Sequence, residues 1–321
     1  MIRYVIRRLL WMLVVVLLIT LFTYLIFFVM PPVNPAVAFA GKSPTPQLIA
    51  EVKRLFGLDK PVWEQYLIFV KHLFLGDRWG WPGLGFSFTT RSSVRSIIAS
   101  RILVTAQLAV GAAAVWLLIG IPIGILSSLR PRSVVDRLAM GVALLGVSAP
   151  VFWLGLMALW LFWFKLHVAA GTGYVPISQG FLTWFNHLLM PWFVLAFLYA
   201  AFYARISRAG LLEAMNEDYI RTARAKGLSE SRVVLKHGLR ASLTPVVTML
   251  GLDLGGLMGG AVITETVFNL QGIGLYAVQS IGNGDLPAIL AVTLIASFFV
   301  TFGNLVVDIA YVFLDPRVRY R

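Results

Sequence analysis

Long apolar runs separated by short polar or basic segments dominate the hydrophobic pattern of the chain. The first run, residues 9–30, is long enough to cross a bilayer, which takes about 20 apolar residues. Later runs have comparable lengths, at 101–128, 136–166, 187–212, 243–266 and 288–313. The pattern predicts an all-α membrane protein with six transmembrane helices. Pro122 and Pro150 are expected to kink the second and third of them, because proline removes a backbone donor.

The spacing of these runs divides the chain into four parts. Residues 1–30 hold a basic lead and the first transmembrane helix, and residues 31–97 form a turn-rich segment that we place outside the membrane. Residues 98–313 form a core of five helices, and residues 314–321 are a cytoplasmic tail. The core contains one long charged segment between apolar runs, the loop 213–240, which is the main candidate for function.

Composition and charge bound the class of protein. Hydrophobic residues make up 59% of the chain and the mean hydropathy is +0.84, which is too apolar for a soluble domain with a wetted surface. The net charge of +13 is concentrated in segments next to the apolar runs. Basic residues placed in this way orient a membrane protein, so they predict cytoplasmic termini and do not indicate nucleic-acid binding.

Catalytic and metal-binding chemistry is sparse in the sequence. The chain has no cysteine, and its four histidines lack the spacing of metal ligands, so neither a disulfide framework nor a metal site is indicated. Ser148 lies in a Gly-Val-Ser-Ala-Pro stretch, but no histidine falls at a matching depth to act as its base. No Walker-type phosphate-binding loop occurs. The sequence therefore predicts neither an enzyme nor a nucleotide-binding subunit.

The charged loop has the local signals of a short helix, a glycine turn and a second helix. Residues 217–226 favour a helix, with acidic residues first and basic residues last, an order that complements the helix dipole. Gly227 predicts the helix end, because glycine adopts the left-handed conformation without steric cost. Ser229 is expected to cap the second helix. Ala223 and Ala225 are expected to give the first helix a thin surface that another protein could approach.

This loop, DYIRTARAKGLSESRVVLKHGLRASLTPVVT, resembles the ATPase-coupling loop, or EAA motif, of binding-protein-dependent ABC importer permeases. Its form is similar to that of the dipeptide and oligopeptide branch. Arg221 stands where the general motif has Glu, and Gly227 matches the family glycine. The general motif's later Ile-x-Leu-Pro is absent, since residues 237–240 replace it. The segment FGLDKPVWEQYLIFVKHLFLGDRWG is also similar to the external part of peptide permeases.

The resemblance implies a type I ABC importer permease fold and a role in importing di- or oligopeptides. A second, homologous permease would complete the translocation path, two ATPase subunits would bind ATP and Mg²⁺, and an external solute-binding protein would deliver the substrate. The chain itself would hold no cofactor and would lie in the cell membrane of a bacterium or archaeon. Nickel, other metal chelates and oligosaccharides remain alternative substrates. An ion-coupled secondary carrier would need inverted repeats, which we do not find.

Two sets of residues are candidates for these roles. The resemblance assigns ATPase coupling to Glu217, Asp218, Tyr219, Arg221, Thr222, Ala223, Arg224, Ala225, Lys226, Gly227 and Leu228. Helix packing or lining of the path is expected of Asp253, Gly255, Gly256, Gly259, Gly260 and Glu265. The glycines either pack within one subunit or face a second permease. Glu265 either lines the path or fixes the turn that follows it. No residue is assigned to a metal.

Overall fold

The computed structural model describes residues 2–30, 36–37, 45–87 and 89–314, and helices account for most of them. The helices are α1 Ile2–Tyr24, α2 Pro46–Phe56, α3 Val62–Leu75, α4 Val94–Leu129, α5 Val134–Ser148, α6 Val151–Ala158, α7 Phe181–Ala214, α8 Asp218–Ala225, α9 Glu230–Arg232, α10 Leu239–Ser242, α11 Thr244–Met258, α12 Val262–Val267, α13 Ile273–Asn283 and α14 Leu286–Leu314. Segments of π-helix continue three of them, at Leu25–Val29, Leu159–Lys165 and Val233–Gly238. A 3₁₀ turn, Ile177–Gln179, precedes α7.

Four of the described helices are long and apolar enough to cross a membrane. They are α1 with its π-helical continuation, α4, α7 and α14. Helices α5 and α6 pass the same test as a pair that bends by 99°, and they make a fifth span if the pair is counted as one. The break falls at Ala149 and Pro150, which confirms the predicted kink. At Pro122, by contrast, α4 continues through the proline.

The prediction of one continuous helix over residues 243–266 is wrong. Helix α11 ends at Met258, and the chain becomes helical again only at Val262, so this region holds a shorter apolar helix followed by a short one. Gly260 has φ +118°, a conformation that other residues rarely adopt. A Cβ atom there would also lie 2.6 Å from the Gly274 backbone. The backbone at this glycine therefore turns the chain away from the axis of α11.

Helices α4 and α7 form the centre of the bundle. Gly120 and Gly124 lie on the face of α4 that contacts α7, where Cβ atoms would come within 2.7 Å and 2.6 Å of backbone carbonyl oxygens. Those oxygens belong to Ala200 and Ala204 of α7. This Gly-x-x-x-Gly spacing therefore lets the backbones of α4 and α7 approach closely. The main apolar cluster, which includes the fully buried Trp116, surrounds this contact.

The segment before α4 packs against α1 and α14. The hydroxyl of Tyr24 on α1 donates to the Gln65 amide oxygen on α3 at 3.0 Å. An antiparallel pair of short strands, β1 Phe86–Ser87 and β2 Ser92–Ser93, leads into α4. Buried Ser87 donates to the carboxylate of Asp285, which directly precedes α14. These contacts fix the segment to both outer helices of the bundle.

Candidate coupling loop and path-lining helix

Helix α7 carries the chain directly into the candidate coupling loop. A short turn follows Ala214, and α8 then spans Asp218–Ala225, close to the predicted 217–226. Glu217 is the N-cap residue and has an extended backbone, but its side chain accepts no capping hydrogen bond. Asp218 lies in the first turn and Arg224 in the last, so the charge order complements the helix dipole as predicted.

The end of α8 is a Schellman motif built on Gly227. This glycine has φ +75°, and its N–H donates to the Arg224 carbonyl at 2.9 Å. The N–H of Leu228 donates to the Ala223 carbonyl at 3.4 Å, and both side chains belong to one small apolar cluster. Paired bonds of this kind, with an apolar contact across them, define the motif. The predicted glycine turn is confirmed, and two backbone hydrogen bonds and the positive φ of Gly227 define its geometry.

One face of α8 is buried against the second arm of the loop. Ile220 and Ala223 pack with Val233, and Met215 and Leu228 close the cluster. The expectation that Ala223 offers a thin outer surface is therefore wrong, because its methyl group is needed inside the loop. The outward-facing residues are Asp218, Tyr219, Arg221, Thr222, Arg224, Ala225, Lys226 and Gly227, which we call the coupling face.

An ion pair joins the two arms of the loop across the glycine turn. Two guanidinium nitrogens of Arg224, Nη2 and Nε, donate to the Glu230 carboxylate at 2.6 Å and 3.1 Å. This contact lowers the pKa of Glu230 and raises that of Arg224, since each charge is stabilised by a hydrogen bond to the other. Ser229 stands at the N-cap of α9, but its side chain makes no capping bond, contrary to expectation. The ion pair spans the glycine turn that Ser229 follows.

The second arm returns to the end of α7. Its π-helical segment brings Gly238 against Leu211 and Met215, where a Cβ atom would lie within 3.0 Å of both side chains. Gly210 of α7 similarly lies against the Ser242 backbone, with 3.1 Å between its ideal Cβ position and the carbonyl oxygen. The loop is thus a closed, packed unit attached both to α7 and, through α10, to α11.

A buried carboxylate connects α4 and α5 to the same end of α7. Asp136 receives two hydrogen bonds from the Arg208 guanidinium, at 2.7 Å and 2.9 Å, and one from the Arg132 backbone N–H at 2.8 Å. The Ser127 hydroxyl of α4 is also its donor. Arg208 lies six residues before the end of α7. We call this cluster the α7 clamp, because it holds three helices together close to the coupling loop.

Helix α11 has one packed face and one open face. Gly255 and Gly259 contact α14, where Cβ atoms would meet the Phe299 carbonyl at 2.9 Å and the Ala296 side chain at 2.8 Å. These two glycines therefore pack within the subunit, and Gly260 forms the break described above. At Gly256, in contrast, a Cβ atom would meet nothing within 4 Å. Asp253, half-buried, accepts a hydrogen bond from the Tyr203 hydroxyl of α7 at 2.8 Å.

Glu265 fixes the turn that follows it. It is fully buried, and its carboxylate accepts hydrogen bonds from the Thr105 hydroxyl at 2.8 Å and the Leu275 N–H at 2.9 Å. The Thr105 oxygen in turn accepts from the Ile273 N–H at 2.9 Å. The carboxylate therefore lies at the N-terminus of α13, where the helix dipole favours a negative charge. Of the two roles expected for Glu265, the structure supports the turn.

Sequence reasoning missed the α7 clamp and the partner of Glu265. Asp136 and Arg208 are 72 positions apart, and Thr105 and Glu265 are 160 apart, so no local pattern joins them. A usable signal existed for Asp136, since a carboxylate among arginines at the start of an apolar run needs a cation.

Ser148 donates to the Leu144 carbonyl within its own helix. Among the described residues, no group of three or more His, Asp or Glu side chains could hold a metal ion.

Two family descriptions together cover nearly the whole chain. Residues 120–320 match the family described as "Binding-protein-dependent transport system inner membrane component". Residues 1–109 match "Binding-prot-dependent transport system membrane comp, N-term". The first match contains both the coupling loop and the α7 clamp, and the second contains α1 to α3. The family thus accounts for the core and for the segment that precedes it.

Relatives that align over their full length and one solved structure support the same family assignment. The dipeptide transport system permease protein DppB of Alkalihalophilus pseudofirmus is 36% identical over 340 residues, with 100% of both chains covered. The glutathione transport system permease protein GsiC of Escherichia coli is 38% identical over 322 residues, again with complete coverage of both. The fold is similar to that of the inward-facing MetNI methionine ABC transporter, with a TM-score of 0.54 and 20% identity, over 68% of this chain and 97% of that one. The chain belongs to the binding-protein-dependent transport system inner membrane components, and is a multi-pass permease subunit of an ABC importer.

Proposed function

We propose that this permease imports di- or oligopeptides and that the coupling face of α8 is where it receives the motion of the ATPase subunits. The single observation that carries the coupling role is the loop itself. It exposes a charged, largely polar face on a helix whose other face is sealed by its own apolar cluster. A helix held in this way can transmit force without unfolding. The peptide substrate is supported by relatives named as dipeptide and glutathione permeases.

The complex we propose contains a second, homologous permease, two ATPase subunits and an external solute-binding protein. The ATPase subunits bind ATP and Mg²⁺, and this chain contributes no cofactor site. The assembly lies in the cell membrane of a bacterium or archaeon, with the coupling loop in the cytoplasm. The basic residues of the loop and of the α4–α5 turn support this orientation, since basic segments next to membrane spans are retained on the cytoplasmic side.

The path of the motion follows the contacts of the loop. When the ATPase subunits close, α8 moves with the groove that holds it, and its two attachments move α7 and α11 together. The α7 clamp passes the displacement of α7 to α4 and α5 through Asp136. The close glycine contact between α4 and α7 leaves little space for one to slide past the other. The spans therefore tilt as a body between inward-open and outward-open states.

Reconstitution of the whole complex tests this function. The permease is co-expressed with the second permease and the ATPase subunits, and the complex is purified. It is then placed in liposomes loaded with ATP and supplied with the binding protein outside. We expect ATP-dependent accumulation of a labelled dipeptide that stops when a non-hydrolysable ATP analogue is used. Accumulation of nickel chelates or oligosaccharides, with no accumulation of peptides, would contradict the peptide assignment and leave the coupling role standing.

A further inference from the structure

The carboxylate of Asp253 has an unusual environment for a charge within an apolar helix. Its hydrogen-bond partner in the described part of the chain is the Tyr203 hydroxyl, at 2.8 Å. None of the ion pairs found among the described residues includes Asp253. A carboxylate inside the membrane is costly, and such groups usually face protein or water and serve a pathway. Among the described residues, no cation therefore pairs with Asp253.

The tyrosine that binds this carboxylate belongs to a cluster of aromatic rings on α4 and α7. Trp116 stacks on Tyr199 with 4.5 Å between ring centroids, and Tyr203 tilts against Trp116 at 5.7 Å. Tyr203 and Trp116 are fully buried, whereas Tyr199 is partly exposed and lies within electrostatic range of Asp253. The faces of aromatic rings attract ammonium groups, most strongly where water is partly excluded.

The approach to Asp253 lies on the open face of α11. Leu252 is 38% exposed, and Gly256, one turn further along the helix, has nothing within 4 Å of its ideal Cβ position. Gly255, on the opposite side, is pressed against α14. A molecule moving past the open face would therefore meet a glycine gap about one turn from a carboxylate that a tyrosine of α7 holds.

We propose that Asp253, held by Tyr203 and flanked by the ring of Tyr199, binds the primary ammonium group of the substrate during translocation. The carboxylate supplies the charge, the Tyr203 hydroxyl fixes its orientation, and the aromatic ring favours an organic cation. Gly256 leaves room for the backbone of a short peptide beside it. This inference rests on the proposed peptide import and names the end of the peptide that the permease recognises.

The first test compares two substrates in the reconstituted complex. We measure uptake of a dipeptide with a free N-terminus and uptake of its N-acetylated form. The affinity of the binding protein for each substrate is measured separately, and the uptake rates are corrected for the difference. Asp253→Asn is expected to lower kcat/KM for the free dipeptide about 10- to 100-fold, the range for losing a charged hydrogen bond. The N-acetylated form should be affected much less. Tyr203→Phe should give a smaller loss and Asp253→Glu a partial recovery.

Glu51→Gln is the matched control, because it neutralises an exposed acid on α2 that lies outside this site. If Asp253→Asn leaves the preference for the free N-terminus unchanged, the inference is wrong. If the unmodified complex transports no peptide at all, the proposed function fails, which is a distinguishable result.

A second measurement covers the case in which Asp253→Asn does not assemble. The chain has no cysteine, so Gly256→Cys introduces a single thiol one turn from Asp253. We expect a water-soluble thiol reagent to label it in the assembled complex and a free-amine dipeptide, delivered by the binding protein, to slow that labelling. Absence of labelling, or labelling that the dipeptide does not slow, would overturn the inference.

Discussion

Replacing Gly227 isolates one physical cost at the turn of the coupling loop. An alanine Cβ there would meet no atom within 4 Å, so the substitution introduces no clash. What remains is the left-handed backbone at φ +75°, which costs an L-residue about 1–2 kcal/mol. A free-energy cost of that size lowers the population of the packed loop, relative to other loop conformations, about 5- to 30-fold. Proline is more severe, because it fixes φ near −65° and removes the N–H that donates to the Arg224 backbone carbonyl.

The assay is the amount of substrate transported per ATP hydrolysed by the reconstituted complex. For Gly227→Ala we expect ATP hydrolysis to continue while uptake falls severalfold, and for Gly227→Pro we expect uptake to be lost with membrane insertion unchanged. Gly227→Asn should fall between wild type and alanine, because asparagine tolerates the left-handed region better than other L-residues. The order of the asparagine and alanine variants therefore follows the cost of the left-handed backbone, and proline adds the loss of a hydrogen bond.

Two further glycines give matched controls. Gly141→Ala adds a methyl group to equally open space but at a helical backbone, so it should leave coupling unchanged. Gly173→Ala also has open space and φ +106°, but it lies outside the loop, so it should strain the chain without uncoupling it. The reasoning is refuted if the Gly227 variants keep the wild-type ratio, or if Gly173→Ala uncouples as strongly as Gly227→Ala.

Three further predictions concern the contacts that hold the bundle and the loop. Gly124→Ala would place a methyl group 2.6 Å from the Ala204 carbonyl, so we expect it to cost about 1–3 kcal/mol and to lower the melting temperature of the purified complex, whereas Gly141→Ala should not. Glu265→Ala leaves the donors of Thr105 and Leu275 buried without an acceptor, at about 1–3 kcal/mol each, and should reduce the yield of assembled complex more than Glu265→Gln does. The Arg224 contact lowers the pKa of Glu230 below its ordinary value of 4.5, so the stabilisation is present at neutral pH and is lost as pH falls through the lowered pKa. Protease cleavage of the loop should increase in that acidic range in wild type, while Glu230→Gln should be cleaved faster already at neutral pH.

The helical spans and the coupling loop follow from local signals in the sequence. Apolar runs of sufficient length specify α1, α4, α7 and α14, because a membrane requires an uninterrupted helix of about 20 residues. Gly227 specifies the end of α8, because the left-handed turn has a strong residue preference. Pro150 likewise predicts the break between α5 and α6. In each case the determining interaction lies within a few residues of the position concerned.

The remaining features depend on contacts between distant residues. The ending of α11 at Met258 depends on how Gly260 lies against Gly274, which no pattern within α11 encodes. Ala223 faces inward because Val233 of the second arm covers it, although its small side chain alone fits an outer surface equally well. The pairing of Asp136 with Arg208 requires α5 and α7 to be adjacent. Periodicity identifies such helices but does not state which faces meet.

The central claim is that the coupling face of α8 contacts an ATPase subunit from the cytoplasm. Since the chain has no cysteine, Ala225→Cys gives a single reporter on that face, and Ala223→Cys gives its buried control. We predict that a short bifunctional thiol reagent joins position 225, and not position 223, to an ATPase subunit carrying single cysteines along its groove, with a yield that changes when ATP is added. Labelling of position 225 by a membrane-impermeant reagent applied outside intact cells, with no cross-link to the ATPase, would contradict the account.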